Sequence, residues 1–365
     1  MPVDWTAIRA EFPALESWTY LNTATIGLIA RRVRAAMDAH SARRDELAHT
    51  DFQSWWDDMD ELRGVIAQIL HAAPDDIAFV QNCGAVLALA KSAVEWRPGD
   101  EILTLEDEFP NQVYATAGLE GVRLVETTML RFWDAITPRT RMVAISAVNY
   151  QTGFRADWES MIGPLRERGI VSYVDATQSF GVLVNDLRGH QPDFYAVDCY
   201  KWACAPPGAA FACIHDGVRT RVKPSVIGWR SDRGWRDMEN LRHGEPVFAD
   251  AAERFEGGML AFPSLYGLKA SLEWMLEIGP PAIEQRVLEL AQACGGDGRS
   301  PIVALTVEAA LPVDEDARAI AARLREQRIL VSARRGKLRI SPHFYNDESD
   351  VESVSKSMLS ASLRR

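Results

Sequence analysis

An aspartate and a lysine are the residues of this sequence best placed to do chemistry. Asp175 and Lys201 each come just past a short apolar stretch, 171–174 and 194–197, whose composition is typical of a buried parallel strand. Ligands bind at the carboxyl ends of such strands, so the two side chains are expected to meet there. A lysine can hold an aldehyde cofactor as a Schiff base, and a buried aspartate can pair with a protonated pyridine nitrogen. The pair therefore predicts a pyridoxal-phosphate site.

Two polar side chains near this pair can complete such a site. Gln178 lies one helical turn beyond Asp175 and can hydrogen-bond the cofactor, and Tyr200 can offer its hydroxyl to a phosphate. Taken singly, these residues have plain structural explanations, since Asp175 could cap a helix after its strand and Lys201 could be a surface lysine. The block 202–214 that follows the lysine makes the combination more specific.

The region 173–214 resembles the class V aminotransferase superfamily of PLP-dependent enzymes, which includes cysteine desulfurases, kynureninase, isopenicillin N epimerase-like proteins and ergothioneine-type C–S lyases. The resemblance covers most of the chain. It implies an aspartate aminotransferase-like α/β fold, with a large PLP-binding domain whose mostly parallel sheet lies between helices, and a small C-terminal α+β domain. We expect an N-terminal segment at 1–20, the large domain at 21–270 and the small domain at 271–365.

The resemblance assigns Phe109 and Asn149 to the cofactor's ring. Phe109 falls where the family places the ring or histidine that stacks on the pyridine, although it could be an ordinary core phenylalanine. Gln112 falls where many relatives carry asparagine. Asn149 opens a motif that looks like the kynureninase version, in which the asparagine lies near the cofactor's phenolic oxygen. The alternative is a polar turn in which Gly153 supplies a positive φ.

The cofactor's phosphate is expected at a helix start. Cys83 and Gly84 open a helix after a strand, and such a turn presents backbone N–H groups to an anion. Asp198, three residues before the lysine, is also assigned to the cofactor. A later segment resembles one whose threonine reaches the phosphate of a neighbouring subunit, but Met259 here has no hydroxyl. Only backbone N–H groups, such as that of Gly258, can contribute there.

Substrate contacts are expected from both ends of the chain. Arg339 resembles the family's arginine for the substrate α-carboxylate, although it could be a strand-end surface charge. Asn22 lies in segment 18–27, which in the family crosses to the rim of the active site. His343 is interpreted as a loop histidine rather than a general base. Segment 223–244 is interpreted as a loop-rich active-site wall that hints at a polar or anionic substrate group, although it could be mere surface. The arginines behind this hint are Arg230, Arg233 and Arg236.

Bulk properties exclude several classes of protein. A chain of 365 residues can bury a large core and is expected to form one large domain and one smaller one. Its net charge of −11 argues against nucleic-acid binding. No apolar run is long enough to span a bilayer and the start lacks a signal pattern, so we expect no membrane partner and a cytoplasmic location. The five cysteines form no Cys-x-x-Cys pair, which predicts ordinary reduced thiols and no metal site.

The periodicity of apolar residues predicts the elements that carry these side chains. Strands, helices and strands alternate at a spacing that implies right-handed parallel crossovers. Helices are predicted at 4–12, 30–47, 52–71, 158–168, 264–278 and 283–293, with 279–281 splitting the last two. Strands are predicted at 77–80 and 141–148, a turn and strand at 98–105, and a compact α+β unit from 302–307, 314–328, 329–332 and 338–341.

Departures of this sequence from the family's motifs narrow the range of reactions that it is expected to catalyse. Cysteine desulfurases carry a nucleophilic cysteine before the carboxylate-binding arginine, but segment 332–337 has none, so persulfide chemistry is disfavoured. The leading interpretation is transamination, or β-elimination of a C–S bond, at the α-carbon of an amino acid. The alternatives are a kynureninase-like hydrolase, an epimerase, or a non-catalytic scaffold on the same fold. A homodimer is implied by the resemblance, because family active sites lie between subunits.

Overall fold

The computed structural model describes residues 3–306 and 316–359. Its strands are short, as expected for elements that cross one domain. They are β1 (Thr19–Tyr20), β2 (Ile77–Val80), β3 (Glu101–Leu105), β4 (Arg123–Thr127), β5 (Thr140–Ser146), β6 (Val171–Asp175), β7 (Phe194–Asp198), β8 (Ala210–Ile214), β9 (Val303–Thr306), β10 (Ile329–Leu330), β11 (Ser332–Arg334) and β12 (Lys337–Ile340).

Seven strands form the central sheet, in the order β2-β8-β7-β6-β5-β3-β4. Strand β8 is antiparallel to both of its neighbours, and all other pairs are parallel. The predicted mostly parallel sheet is therefore confirmed. Because β5, β6 and β7 are adjacent and parallel, their last residues, Ser146, Asp175 and Asp198, lie at one edge of the sheet.

Helices cover the sheet, and their starts follow local sequence signals. They are α1 (Trp5–Ala10), α2 (Arg31–Leu47), α3 (Phe52–Leu70), α4 (Cys83–Ser92), α5 (Pro110–Val113), α6 (Phe132–Ala135), α7 (Glu159–Glu167), α8 (Asp216–Arg219), α9 (Phe262–Ile278), α10 (Pro280–Ala293), α11 (Ala317–Glu326) and α12 (Glu348–Leu359). Gly279, at φ 95°, separates α9 from α10. Pro280 and Pro281 do not extend that break, because proline fits the first turn of a helix, where its missing N–H costs nothing. Asp316 caps α11 by accepting from Arg318 N at 2.9 Å, and residues 314–315 of the predicted helix lie outside the described residues.

Both faces of the central sheet are buried, which explains the apolar runs in its strands. Along β6, Tyr173 belongs to the apolar cluster on one face and Val174 to the cluster on the other. Trp55 and Trp56, expected in the core or at a dimer contact, are buried in the second of these clusters, between α3 and α9. All five cysteines are buried as free thiols. Within the described residues, no helix is long and apolar enough to cross a membrane.

The small α+β unit includes a strand from the start of the chain. Strands β11, β12 and β9 form an antiparallel sheet in that order. Strand β1 pairs in parallel with β10, Thr19 opposite Ile329, so the N-terminal segment joins the C-terminal unit. The expected boundary between 21–270 and 271–365 falls inside α9. The expected division into domains, including an N-terminal segment at 1–20, stays a prediction.

Candidate active site

Lys201 lies three residues beyond β7, at the edge where the carboxyl ends of the parallel strands meet. Its side chain is buried at 8% exposure. The Nζ atom lies 5.8 Å from the ring centroid of Phe109 and 5.6 Å from that of Tyr200. Burial lowers the pKa of Lys201, and the nearby Asp175 carboxylate partly opposes this. Among the described residues it has no hydrogen bond or ion pair through Nζ, so the amine is buried without a partner there and is closer to its neutral form.

Asp175 ends β6 and is buried beside this lysine without a paired cation in the described chain. Its Oδ1 accepts from Thr177 N at 3.0 Å and from the Cys83 thiol at 3.8 Å. Its Oδ2 accepts from Gln112 Nε2 at 3.5 Å. These donors are all neutral, so the carboxylate keeps the capacity to pair with a cationic ring nitrogen.

A series of buried hydrogen bonds leads from Asp175 to a second carboxyl group, that of Glu108. Gln112 Nε2, which contacts Asp175, also donates to Ser146 Oγ at 3.2 Å. Ser146 Oγ donates to Glu108 Oε2 at 2.6 Å, and Ser146 N donates to Oε1 at 2.7 Å. Burial raises the pKa of Glu108 to about 7, opposed by the bonds from Ser146. Gln112 Oε1 is buried without a partner in the described chain.

The start of α4 is shared between an expected phosphate site and a carboxylate. Cys83 N donates to Asp198 Oδ1 at 3.1 Å, while Asn82 caps the helix through Ala85 N. Of the two expected N–H donors, that of Gly84 has no partner among the described residues. Burial raises the pKa of Asp198 to about 6, and Asp175 adds to the rise. In its protonated form, Asp198 can donate to a phosphate bound here.

Tyr200 and Phe109 keep free surfaces beside the lysine. The Tyr200 hydroxyl makes no hydrogen bond within the described chain, and burial raises its pKa to about 12, so it remains a donor. The Phe109 ring is 38% exposed and packs edge-on against Tyr150, at 5.2 Å between centroids. An open aromatic face near Lys201 suits stacking on a planar ring.

Gln178 and Asn149, both expected to touch the cofactor, hold other parts of the protein. Gln178 Nε2 donates to Ala24 O at 3.0 Å, and its Oε1 accepts from Trp202 Nε1 at 2.7 Å. Asn149 Nδ2 donates to Asp107 O at 2.9 Å, and its Oδ1 accepts from the turn that follows. Both amides thus position the walls of the site, and their contacts to a cofactor stay predictions.

Arg339, expected to bind a carboxylate, is 1% exposed. Its guanidinium donates to Ser332 Oγ at 3.1 Å, Tyr150 O at 2.6 Å and Thr25 Oγ1 at 2.5 Å. Each acceptor is neutral, and no acid pairs with it in the described part of the chain. Burial lowers the pKa of Arg339 to about 10, and Arg334 lowers it further.

Asn22 reaches this arginine through one residue. Thr25 Oγ1 donates to Asn22 Oδ1 at 2.9 Å while it accepts from Arg339. The bridge between Asn22 and Ser341 fixes the segment beside β12. Asn22 therefore lies one hydrogen bond from the expected carboxylate site, and its own contact with a substrate stays a prediction.

The expectation that Arg230 faces the substrate is wrong. Arg230 is buried between the rings of Trp56 and Trp235, 4.4 Å from each centroid. It forms an ion pair with Glu256, which also pairs with Arg63. This buried triad ties the 223–244 segment to α3 and places the Arg230 guanidinium in the core, at 0% exposure. Of the other two, Arg236 forms an ion pair with Asp60 at 2.5 Å.

Two further expected positions lie apart from the cluster. Gly258 N donates to Glu256 O at 2.8 Å, and no hydrogen bond or ring contact among the described residues links it to Lys201. His343 lies in a loop but is fully buried, with Nε2 2.7 Å from Trp202 O. Burial lowers the pKa of His343 to about 3, so it stays neutral and does not supply a proton.

The residues at the ring end fit pyridoxal phosphate. A buried lysine, a buried carboxylate without a cation and an open aromatic face provide an amine, a pyridinium partner and a stacking surface. Sequence reasoning missed Glu108, Ser146 and Thr25. Glu108 directly precedes Phe109, and Ser146 lies two residues before the end of the predicted strand 141–148, so a polar residue near a strand end was the available signal.

The sequence and the fold are both similar to those of known proteins. The family model described as aminotransferase class-V matches residues 20–297. Similar sequences include the uncharacterized aminotransferase YcbU of Bacillus subtilis (strain 168), 24% identical over 94% of each chain. A kynureninase of Deinococcus radiodurans is 28% identical over 77% of this chain and 71% of its own. Among solved structures, a mutant of C-DES with glycine covalently linked to the PLP cofactor superposes with a TM-score of 0.85 at 22% identity, covering 98% of this chain and 99% of that chain.

Proposed function

Because this chain belongs to the aminotransferase class-V family, we propose that it is a pyridoxal 5'-phosphate-dependent enzyme acting at the α-carbon of an amino acid. One observation carries the proposal: the buried Lys201 amine, free of partners in the described chain, lies beside the buried Asp175 carboxylate. Burying a lysine amine without a fixed counterion is costly, which argues for a functional rather than a structural lysine.

The side chains divide the work between binding and proton transfer. The bound cofactor supplies an electron sink for the pair left at the α-carbon. Lys201 Nζ, whose pKa is lowered by burial, holds the cofactor and then takes the α-proton. Asp175 keeps the pyridine nitrogen protonated, and Phe109 covers one face of the ring. Arg339 binds the α-carboxylate with N–H groups that its three neutral acceptors leave free.

The phosphate is held by a separate set of groups. The Gly84 amide at the start of α4 and the Tyr200 hydroxyl donate to it, and Asp198 donates when protonated. We propose that the backbone at Gly258 lies near the phosphate of a partner subunit in a homodimer, although the Gly258 N–H itself donates to Glu256 O. The support for a homodimer is an exposed apolar surface in that part of the chain, since Val226 is 66% and Met259 59% exposed. A cytoplasmic location stays a prediction from the sequence.

Within this family we propose transamination, or β-elimination of a C–S bond. The alternatives are a kynureninase-like hydrolase or an amino-acid epimerase, and, from another class, a scaffold without activity. A persulfide-forming cysteine is disfavoured, because every cysteine is buried. Cys83, the thiol beside Asp175, has its pKa raised well above the ordinary value by burial and by that carboxylate, so it is a poor nucleophile.

The test is a spectrum combined with a turnover assay. Purified protein loaded with cofactor is mixed with a panel of amino acids and cysteine conjugates, without an oxo-acid acceptor, while released ammonia is measured. Transamination converts the visible band once and then stops, whereas β-elimination keeps the band while ammonia accumulates over many turnovers. The proposal fails, and the chain is a scaffold, if the loaded wild type shows no visible band or if Lys201→Ala does not remove the band.

A further inference from the structure

The hairpin of β11 and β12 places three arginines at the edge of the proposed substrate site. Arg334 ends β11, Arg335 lies in the turn, and Arg339 lies on β12. Arg335 forms an ion pair with Asp107, in the loop after β3. Within the ranges that the structure describes, Arg334 and Arg339 have no carboxylate partner. In a chain with a net charge of −11, two unpaired guanidinium groups in one place require an explanation.

The two unpaired guanidinium groups converge on one hydroxyl. Thr25 Oγ1 accepts from Arg339 Nη2 at 2.5 Å, and Arg334 Nη2 lies 3.5 Å from the same oxygen. Their proximity also shows in the electrostatics, because Arg334 adds to the lowering of the pKa of Arg339 that burial begins. Like charges held this close repel, and an anion between them relieves that repulsion.

The hydrogen bonds that Arg334 and Arg339 already make leave enough N–H donors for two anionic groups. A guanidinium has five N–H donors, and Arg339 uses three of them on Ser332, Tyr150 and Thr25. The remaining two match one carboxylate. Arg334 donates to Ala333 O at 2.9 Å and contacts Thr25, so three of its donors are uncommitted. One carboxylate on Arg339 therefore leaves Arg334 still without a counterion.

We propose that Arg334 binds a second anionic group at the end of the substrate side chain, so that the enzyme takes α-amino acids with an acidic side chain. The inference rests on the proposed function, because it takes Arg339 as the α-carboxylate site. It also moves the source of anion selectivity from the 223–244 segment, where Arg230 is already paired with Glu256, to the hairpin. A carboxylate and a sulfinate present the same acceptor chemistry to this arginine.

Unreactive acids test the assignment without any turnover. Dissociation constants of succinate, glutarate, propionate and butyrate for the cofactor-loaded protein are measured by calorimetry, for wild type and for Arg334→Met. We expect wild type to bind the dicarboxylates about tenfold or more tighter than the monocarboxylates, as one charge-assisted pair provides. Arg334→Met should remove that preference and leave monocarboxylate binding within about twofold. Arg335→Met, on the same hairpin, should retain the preference.

The contrary results are distinct. Equal affinity for both classes in wild type, or an equal loss of both in Arg334→Met, overturns the inference, the latter because Arg334 would then share the α-carboxylate with Arg339. Arg339→Met separates the inference from the proposed function. We expect it to weaken both classes, and an unchanged monocarboxylate affinity would refute the role of Arg339 whatever Arg334 does. Glutamate, aspartate and cysteine sulfinate then identify the preferred acid.

Discussion

Glu108 gives this protein a stability that depends on pH, and replacing it with glutamine tests the reasoning. The carboxyl group is buried and accepts from Ser146 N, Ser146 Oγ and Phe109 N. Burial raises its pKa from an ordinary 4.5 to about 7, so the folded protein holds this proton more tightly than the unfolded chain does. The free energy of unfolding therefore falls as the pH rises from about 4.5 to about 7.

The size of the effect follows from these two pKa values. At about 1.4 kcal/mol per pKa unit, the rise from 4.5 to about 7 corresponds to about 3 kcal/mol. Glu108→Gln removes this contribution, but its NH₂ group cannot accept from Phe109 N, a loss of about 1–3 kcal/mol at every pH. We expect the variant to be less stable than wild type at pH 5, and to recover by about 3 kcal/mol relative to wild type at pH 8.

The assay is urea unfolding of the cofactor-free protein at pH 5, 6, 7 and 8, followed by circular dichroism. The quantity of interest is the difference between variant and wild type at each pH, because Asp198 contributes a slope of the same sign to both. Glu106→Gln, at an exposed neighbour, is the matched control and should show a constant difference. A constant difference for Glu108→Gln as well would refute the argument.

Three further outcomes are expected. Cofactor affinity should fall as the pH rises through about 6, where Asp198 loses its proton, and Asp198→Asn should flatten that dependence in a fluorescence titration; an unchanged profile would contradict this role. Lys201→Ala should remove the visible band and slow turnover by about 10²–10⁴-fold, and a band that persists would locate the cofactor elsewhere. Glu256→Gln should destabilise the protein by about 3–5 kcal/mol in thermal unfolding, because Arg63 and Arg230 then lose their fully buried counterion and keep only the more exposed Asp60 and Glu253, while Glu253→Gln should cost far less.

The centre of the site was predictable because it is local in sequence. The apolar runs before Asp175 and Lys201 predict buried strands, and adjacent parallel strands bring their carboxyl ends together. The arginine motif at 338–346 placed Arg339 near that centre, although the two lie far apart along the chain. Each of these inferences needed only composition, strand order or motif.

The rest depends on register and rotamers, which the sequence does not reveal. The link from Glu108 to Ser146 requires the loop after β3 to meet the last residue of β5. Gln178 and Asn149 have the right chemistry for a cofactor, but their amides are committed to Ala24, Trp202 and neighbouring backbone groups. Arginine-rich composition suggested a ligand surface around Arg230, whereas a buried ion pair satisfies the same composition.

The pairing of β1 with β10 constrains the order in which the protein is built. Thr19 and Tyr20 emerge early in synthesis, whereas Ile329 and Leu330 emerge only after the whole central sheet. Strand β1 therefore stays unpaired during the translation of about three hundred residues, and closing so long a loop is slow. A chain arrested before β10 contains every strand of its seven-stranded sheet but lacks Arg339, the partner of Thr25. Competence to recognise substrate is thus acquired last, after the platform for the cofactor already exists.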